Sequence, residues 1–252
     1  MLTSFRGIFA ATLLAGTALA AAPAFADEAD VPADITVTGN VALTTDYRFR
    51  GVSQTDGDPA IQGGITVAHQ SGFYVGAWAS SIEIGGSNTY GGQELDVFGG
   101  WSGEVASGIT LDGGLLYYVY PGADDGLNSD FFEPYVSVSG EVGPAKIKVG
   151  AAYAWDQSAL LDEDNLYVYG NVDFAIPNTP VTLSGHLGYT DGVLAPPFLA
   201  GTLDDSGLDW SVGASATLFG PLSASVSYVG VEGPSIDGFT DDAVVGTLTA
   251  SF

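Results

Sequence analysis

The sequence predicts an all-β fold: one transmembrane antiparallel up-and-down β-barrel of about twelve strands, spanning residues 35–252. Three observations lead there. Apolar residues alternate with small or polar ones at a period of two, block after block. The links between blocks alternate short and long. The chain opens on an export-type leader and ends on a strand that terminates in Phe252.

The leader comes first. MLTSFRG carries a positive charge, IFAATLLAGTALAAA is an apolar core too short to cross a bilayer, and Ala24-Phe25-Ala26 precedes DEAD. That is the layout of a secretory signal with a small-x-small cleavage site, predicting residues 1–26 as a signal peptide cleaved after Ala26. The competing reading is an uncleaved anchor helix. Residues 27–34 are then a short periplasmic segment, and no later apolar run approaches the roughly 18 residues of a membrane helix.

Composition excludes several function classes. Thirty acidic residues face five basic ones, and Arg6 leaves with the leader, so no basic footprint exists for nucleic acid. The chain has no cysteine, which removes disulfide scaffolds and thiolate metal sites. At 46% hydrophobic and 12% aromatic it is too apolar for a disordered acidic chain. No cofactor is expected.

The strands follow in order. ITVTGNVALTTDYRF places Ile35, Val37, Val41, Leu43, Tyr47 and Phe49 on one face and Thr36, Thr38, Asn40, Thr44, Asp46, Arg48 and Arg50 on the other. Eleven more blocks centre on IQGGITVAHQ, FYVGAWASSI, ELDVFGGWSGEV, ITLDGGLLYYVY, FFEPYVSVSGEV, KIKVGAAYAWD, LYVYGNVDFAI, VTLSGHLGY, LDWSVGASATL, LSASVSYVGV and AVVGTLTASF. Short links such as Ser71-Gly72, Pro144-Ala145 and Phe219-Gly220-Pro221 alternate with long ones such as PGADDGLNSD and EGPSIDGFTDD. Outer-membrane barrels alternate in this way, with tight periplasmic turns and long outer loops. Only helices or edgeless barrels satisfy the backbone in lipid.

Register is expected to close at the turns. Across Ser71-Gly72, His69 is set opposite Tyr74, which sends Tyr74, Trp78 and Ile82 outward with Ile61, Ile65 and Val67. Across Pro144-Ala145, Val142 meets Ile147 outside and Glu141 meets Lys148 inside; Lys146 and Lys148 are expected to pair with Glu141 and Glu104. Tyr47, Phe49, Trp101, Tyr117, Tyr153, Trp155, Phe174, Trp210 and Tyr228 are expected in interfacial aromatic girdles. The terminal Phe252 fits a signal for insertion by the barrel-assembly machinery.

VALTTDYRFRGVSQTDGDPAIQGGITVAHQSGFYVGAWAS resembles the N-terminal signature of the TorF-like porins, bacterial outer-membrane proteins common in proteobacteria. Thr45, Asp46, Tyr47, Arg48, Arg50, Gly51, Ser53, Gln54, Pro59, Gln62, Gly63, Gly64, His69, Gly72, Phe73, Tyr74 and Trp78 carry the likeness. It covers about the first fifth of the chain after the leader, and the remainder agrees in strand rhythm alone. The resemblance implies localisation to the cell outer membrane and a pore, with no solute attached.

The expected partners are small polar solutes, outer-membrane lipids and lipopolysaccharide. Lumen and constriction candidates are Asp46, Arg48, Arg50, Glu94, Asp96, Asp112, Glu133, Asp156, Asp173, His186 and Asp209. An acidic lumen would concentrate cations. Arg48 and Arg50 admit two roles: the basic side of a constriction, or a brace that bonds neighbouring carboxylates. Acid-rich loops (Asp124, Asp125, Asp162, Glu163, Asp164, Asp204, Asp205, Asp241, Asp242) keep a surface soluble or hold divalent ions, and none follows the EF-hand pattern. Tyr118, Tyr120, Tyr135, Tyr167 and Tyr169 open a second reading, a plugged structural or surface-interaction barrel. His69-Gln70-Ser71 has the H-x-S look of a lipid hydrolase, but Ser71 falls in a tight turn and His186 lies elsewhere. No nucleophile, base and orienting acid converge, so no enzyme is expected.

Overall fold

The computed structural model describes residues 34–87 and 89–252; the expected leader and cleavage site lie outside them. The strands are β1 (Ile35–Thr44), β2 (Arg48–Phe49), β3 (Val52–Ser53), β4 (Ala60–His69), β5 (Phe73–Ser81), β6 (Gln93–Ala106) and β7 (Ile109–Val119). They continue as β8 (Phe131–Val142), β9 (Ala145–Gln157), β10 (Glu163–Ala175), β11 (Val181–Gly192), β12 (Ser206–Phe219), β13 (Leu222–Val231) and β14 (Ala243–Ser251). β1 and β4 through β14 form one closed antiparallel barrel, twelve strands as the periodicity predicts. β2 and β3 make a separate two-stranded hairpin inside the first long loop, loop 1 (residues 45–59).

Closure runs through the last strand. β14 pairs with β1 from Asn40↔Ser251 to Thr44↔Thr247, and Phe252 exchanges backbone hydrogen bonds with Gly39. The Phe252 ring lies over Gly39, where a Cβ would come within 2.7 Å of it. The wall alternates as expected. Val37, Val41, Leu43, Val97, Val136, Val149, Val212, Val226 and Leu248 are exposed on the outer face. Tyr153, Trp155, Phe174 and Tyr228 stand among them, as expected for girdle residues. Short turns gather on one rim and long loops on the other.

The turns correct two register expectations. Ala68, not His69, pairs with Tyr74. Three residues separate β4 from β5, with Gly72 N–H bonded to His69 O and Gly72 at φ 95°, the geometry of a three-residue hairpin. The one-residue difference reverses the face of β5. Tyr74, Trp78 and Ile82 therefore point into the barrel, and Phe73 and Val75 take the outer positions.

Between β8 and β9 the turn is Gly143-Pro144, so Val142 pairs with Ala145 and Glu141 with Lys146. This shift of two residues preserves the faces. Lys148 lies opposite Ser139, and Glu104 accepts the Gly108 N–H.

A larger correction concerns Tyr47 and Phe49. The first strand ends at Thr44, and the chain leaves the wall inward instead of continuing along it. Tyr47 is 3% exposed inside the barrel, and Phe49 packs against the lumenal Tyr118. Local alternation cannot distinguish a strand that stays in the wall from one that folds back into the lumen.

Candidate functional site: the lumen and its first loop

Loop 1 is built around a tight turn. Arg50 and Gly51 both have positive φ (48° and 81°), and Phe49 pairs with Val52 across them. Two positive-φ residues between paired strands define a type I′ hairpin. Asp46 is the hub behind the tip. It accepts Arg48 Nε at 2.6 Å, Ser53 Oγ at 2.7 Å and Thr55 Oγ1 at 3.2 Å. Arg48 then reaches the last loop, donating to the Asp241 backbone carbonyl and, at 3.1 Å, to Asp241 Oδ1. Backbone bonds from Ser53 N to Phe239 O and from Glu83 N to Gln54 O tie the same loop to its neighbours.

The tip crosses the barrel. β9 lies opposite β1, six strands away in either direction, and Arg50 lands between the strands that flank it. Its Nη2 donates to both oxygens of Glu133 on β8, at 2.6 and 2.8 Å. Its guanidinium stacks over Tyr167 on β10 (4.2 Å to the centroid) and over Phe49 (4.7 Å). Both side chains of the ion pair are 1% exposed. Burial opposes the Arg50 charge, but the adjacent Glu133 carboxylate outweighs it and the net direction of its pKa is upward. Burial also pushes the Tyr47 phenol well above its ordinary value, with Glu94 and then Asp96 adding to the effect, so it stays a donor. Gly51 presses on the wall, where a Cβ would sit 2.3 Å from Val231 Cγ1.

The lumen therefore has two halves. Towards the loops, Phe98, Leu116, Tyr118, Phe131 and Leu160 form an apolar cluster inside the barrel, with Phe49 packed on it. Glu94, Asp96, Glu133 and Asp209 are buried at this level. Towards the turns the inner wall is polar and partly accessible, carrying Thr66, Asp112, Ser139, Lys148, Asn171 and Asp173. Several tyrosines lie along the wall instead of across the axis. Tyr74, Tyr135 and Tyr169 cover Gly100, Gly114 and Gly150, where any Cβ would come within 2.6 Å of the phenol. Tyr74 donates to Asp112 at 2.8 Å, and its hydroxyl meets that of Tyr135 at 2.5 Å.

The predicted site residues sort accordingly. Arg50 and Glu133 meet; Glu94 receives Tyr47; Asp96 lies beside Glu94. His186 bridges Asp209 (2.7 Å) and Asn171 (2.6 Å), and Tyr167 donates to the same Asp209 oxygen. Asp46 and Arg48 join each other and Asp241, so Asp241 is part of a brace and not only a solubilising acid. Arg48 and Arg50 lie inside the barrel as expected, but on a hairpin and not on the wall of the first strand. Asp156 stands exposed beyond a bulge in the β9–β10 pairing, away from the others. Asp173 pairs in register with Lys146 near the turn rim.

Sequence reasoning missed Phe49, Tyr118 and Tyr167 as walls of the ion pair. The available signal was Arg50-Gly51 between two short extended pairs, a weaker hairpin mark than Asn-Gly or Asp-Gly. It also missed one linkage. Asp34, His69 and Ser71 form a hydrogen-bonded chain (3.1 and 2.7 Å) on the turn rim. All three are substantially solvent-accessible, and Ser71 N–H donates to the same imidazole nitrogen, so the chain braces a tight turn.

A family model described as "Bacterial protein of unknown function (Gcw_chp)" matches residues 27–252. The chain belongs to the Gcw_chp family. This Gcw_chp barrel is similar to the NanC porin, at 11% identity over 86% of this chain and 99% of that one, with a TM-score of 0.57. It is similar to the KdgM porin at 9% identity, 86% and 98% coverage and a TM-score of 0.55. The COG4313 outer membrane channel from Pseudomonas putida F1 follows at 11% identity, 89% and 97% coverage and a TM-score of 0.53. At such identities the likeness is one of fold, that of outer-membrane barrels. No curated protein matches the sequence. Family and fold together stop short of the TorF-like porins as such.

Proposed function

We propose that this Gcw_chp protein is an outer-membrane porin-like channel for passive diffusion of small polar solutes, biased towards cations, with loop 1 as its constriction. The observation that carries the reading is the Arg50 hairpin. It leaves the wall of a closed barrel, crosses the bore at its loop end and docks on the far side through one ion pair. A brace alone would not need to span the bore. The turn-side vestibule offers Ser, Thr, Asn and acids to a hydrated solute, and inward acids there include Asp112 and Asp173 against Lys146 and Lys148. Those four charges balance, so the cation bias rests on the excess of acids over the whole chain, thirty against five basic residues. Walls with an excess of one sign enrich the opposite ion. The TorF-like resemblance of residues 41–80 and the fold likeness to the NanC and KdgM porins support the same reading.

Export follows from the leader, with cleavage after Ala26; the family match starts at the next residue. The apolar outer band meets lipid and lipopolysaccharide, and the closing strand with Phe252 is the segment offered to the barrel-assembly machinery. Transport needs no covalent chemistry, so the reading is non-enzymatic.

A second reading has its own observation. The apolar cluster at the loop end is packed like a core, with Leu116 and Tyr118 at 1% and 2% exposure, which favours a plugged structural barrel. Planar-bilayer recording separates the two. The channel reading expects discrete conductance, a cation-directed reversal potential in a salt gradient, and a larger conductance when residues 46–56 are replaced by a short Gly-Ser link. Absence of conductance even after that replacement refutes the channel.

A further inference from the structure

Loop 1 has a second seat besides Glu133. The Tyr47 hydroxyl donates to Glu94 Oε1 at 3.0 Å, and the Tyr47 ring packs edge-on against Trp78 at 5.3 Å. Asp96, two residues further along the strand, lies beside Glu94 on the same inward face. Both acids face inward on β6 and are 2% and 7% exposed. Two carboxyl groups buried side by side with no cation against them do not both stay ionised, so the pair holds a proton.

Among the described residues no cation faces the pair. Tyr47 faces the pair from loop 1, Tyr118 and Tyr120 from β7 and its end, and Glu133 from β8. Ser80 and Trp78 pair with Glu94 and Asp96 from β5 and are uncharged. Arg50, the cation of the same hairpin, is engaged by Glu133. Asp96 Oδ1 receives no hydrogen-bond donor among the described residues. Removing that proton therefore leaves two negative charges on one face, two residues apart, in a site that water does not reach. Like charges at that separation in a buried site repel strongly, and lifting the hairpin is the movement that lets water in.

We propose that Glu94 and Asp96 form a proton-dependent clamp for loop 1: the hairpin docks while the pair holds a proton and lifts when both are ionised. This rests on the channel reading for its consequence, a conductance that rises with pH, but not for the movement itself. The sign follows from linkage. The docked state holds one proton more than the released state, so docking is favoured at low pH and is lost as pH rises, by about tenfold per pH unit across the transition.

The chain has no cysteine, so a single introduced thiol reports loop position. Val52→Cys lies on the docked hairpin at 1% exposure, and Asp58→Cys, on an exposed part of the same loop, corrects for the pH dependence of thiol reactivity itself. In the full barrel in lipid vesicles, maleimide labelling of Val52→Cys relative to Asp58→Cys is expected to rise at least about tenfold between about pH 5 and pH 9. With Glu94→Gln and Asp96→Asn together, whose neutral amides stand in for the protonated pair, the ratio should stay low and flat. Glu94→Gln alone, which keeps the Tyr47 contact, is the second variant if the double one does not fold, and it should flatten the response in the same way.

A flat ratio in the native pair overturns the clamp, and so does a pH response that persists undiminished in these variants. A labelling switch without conductance at any pH sustains the clamp and refutes the channel reading.

Discussion

Removing Glu133 tests the far-wall anchor directly. In Glu133→Ala the Arg50 guanidinium keeps its place between Phe49 and Tyr167 but loses both carboxylate contacts in a site 1% exposed. Breaking a buried ion pair on one side costs about 3–5 kcal/mol, because the remaining charge is left uncompensated. The Tyr118 hydroxyl also loses its acceptor, Glu133 Oε2 at 3.1 Å, adding about 1–3 kcal/mol.

The hairpin can escape by swinging out, whereas the wall cannot. The penalty therefore falls on docking and leaves the barrel itself folded. Every 1.4 kcal/mol is a factor of about ten, so a combined loss of about 4–8 kcal/mol lowers the docked-to-released ratio by about 10³ to 10⁶. Single-channel recording should show larger and more frequently interrupted openings, with the heat-resistant folded band retained on a gel. Replacing both partners, Arg50→Met with Glu133→Leu, should restore much of the docking, since apolar pairs of similar volume substitute well for buried ions. Unchanged conductance and unchanged protease access to loop 1 in Glu133→Ala would refute the far-wall anchor.

Three further outcomes follow from the same geometry. Gly51→Ala puts a Cβ on a residue at φ 81° against Val231, and should release the hairpin much as Glu133→Ala does, read by protease cleavage within residues 46–56. Val212→Arg, on the outer face near the middle of β12, should lower barrel stability in lipid by about 2–4 kcal/mol in urea titrations, whereas the neighbouring lumenal Ser211→Arg should cost far less. Asp112→Asn removes a vestibule charge, and the reversal potential in a salt gradient should move towards anions without loss of the folded band.

Much of the barrel was legible because its physics is local. Period-two alternation fixes which residues share a face, and alternating loop lengths fix which strand ends share a rim. β1, β6, β7, β8 and β14 therefore faced as read, down to Phe252 in the register of Val244 and Leu248. β5 did not, because its face hangs on whether the turn after His69 holds two residues or three. Gly72 at positive φ makes it three, and every side chain from Tyr74 to Ile82 changes sides.

The sequence by itself determined an all-β closed wall, its strand count, its acidic interior and the presence of two arginines within it. Tertiary structure alone decided what those arginines do. Arg50 and Glu133 are 83 residues apart in the chain, and their meeting depends on loop 1 leaving the wall. Alternation continues unbroken through Tyr47-Arg48-Phe49-Arg50 in either case. What decides is long-range: the glycine-lined wall that makes room for tyrosines, and the far-side carboxylate that receives a buried cation. Neither leaves a local mark on the residues that depend on it.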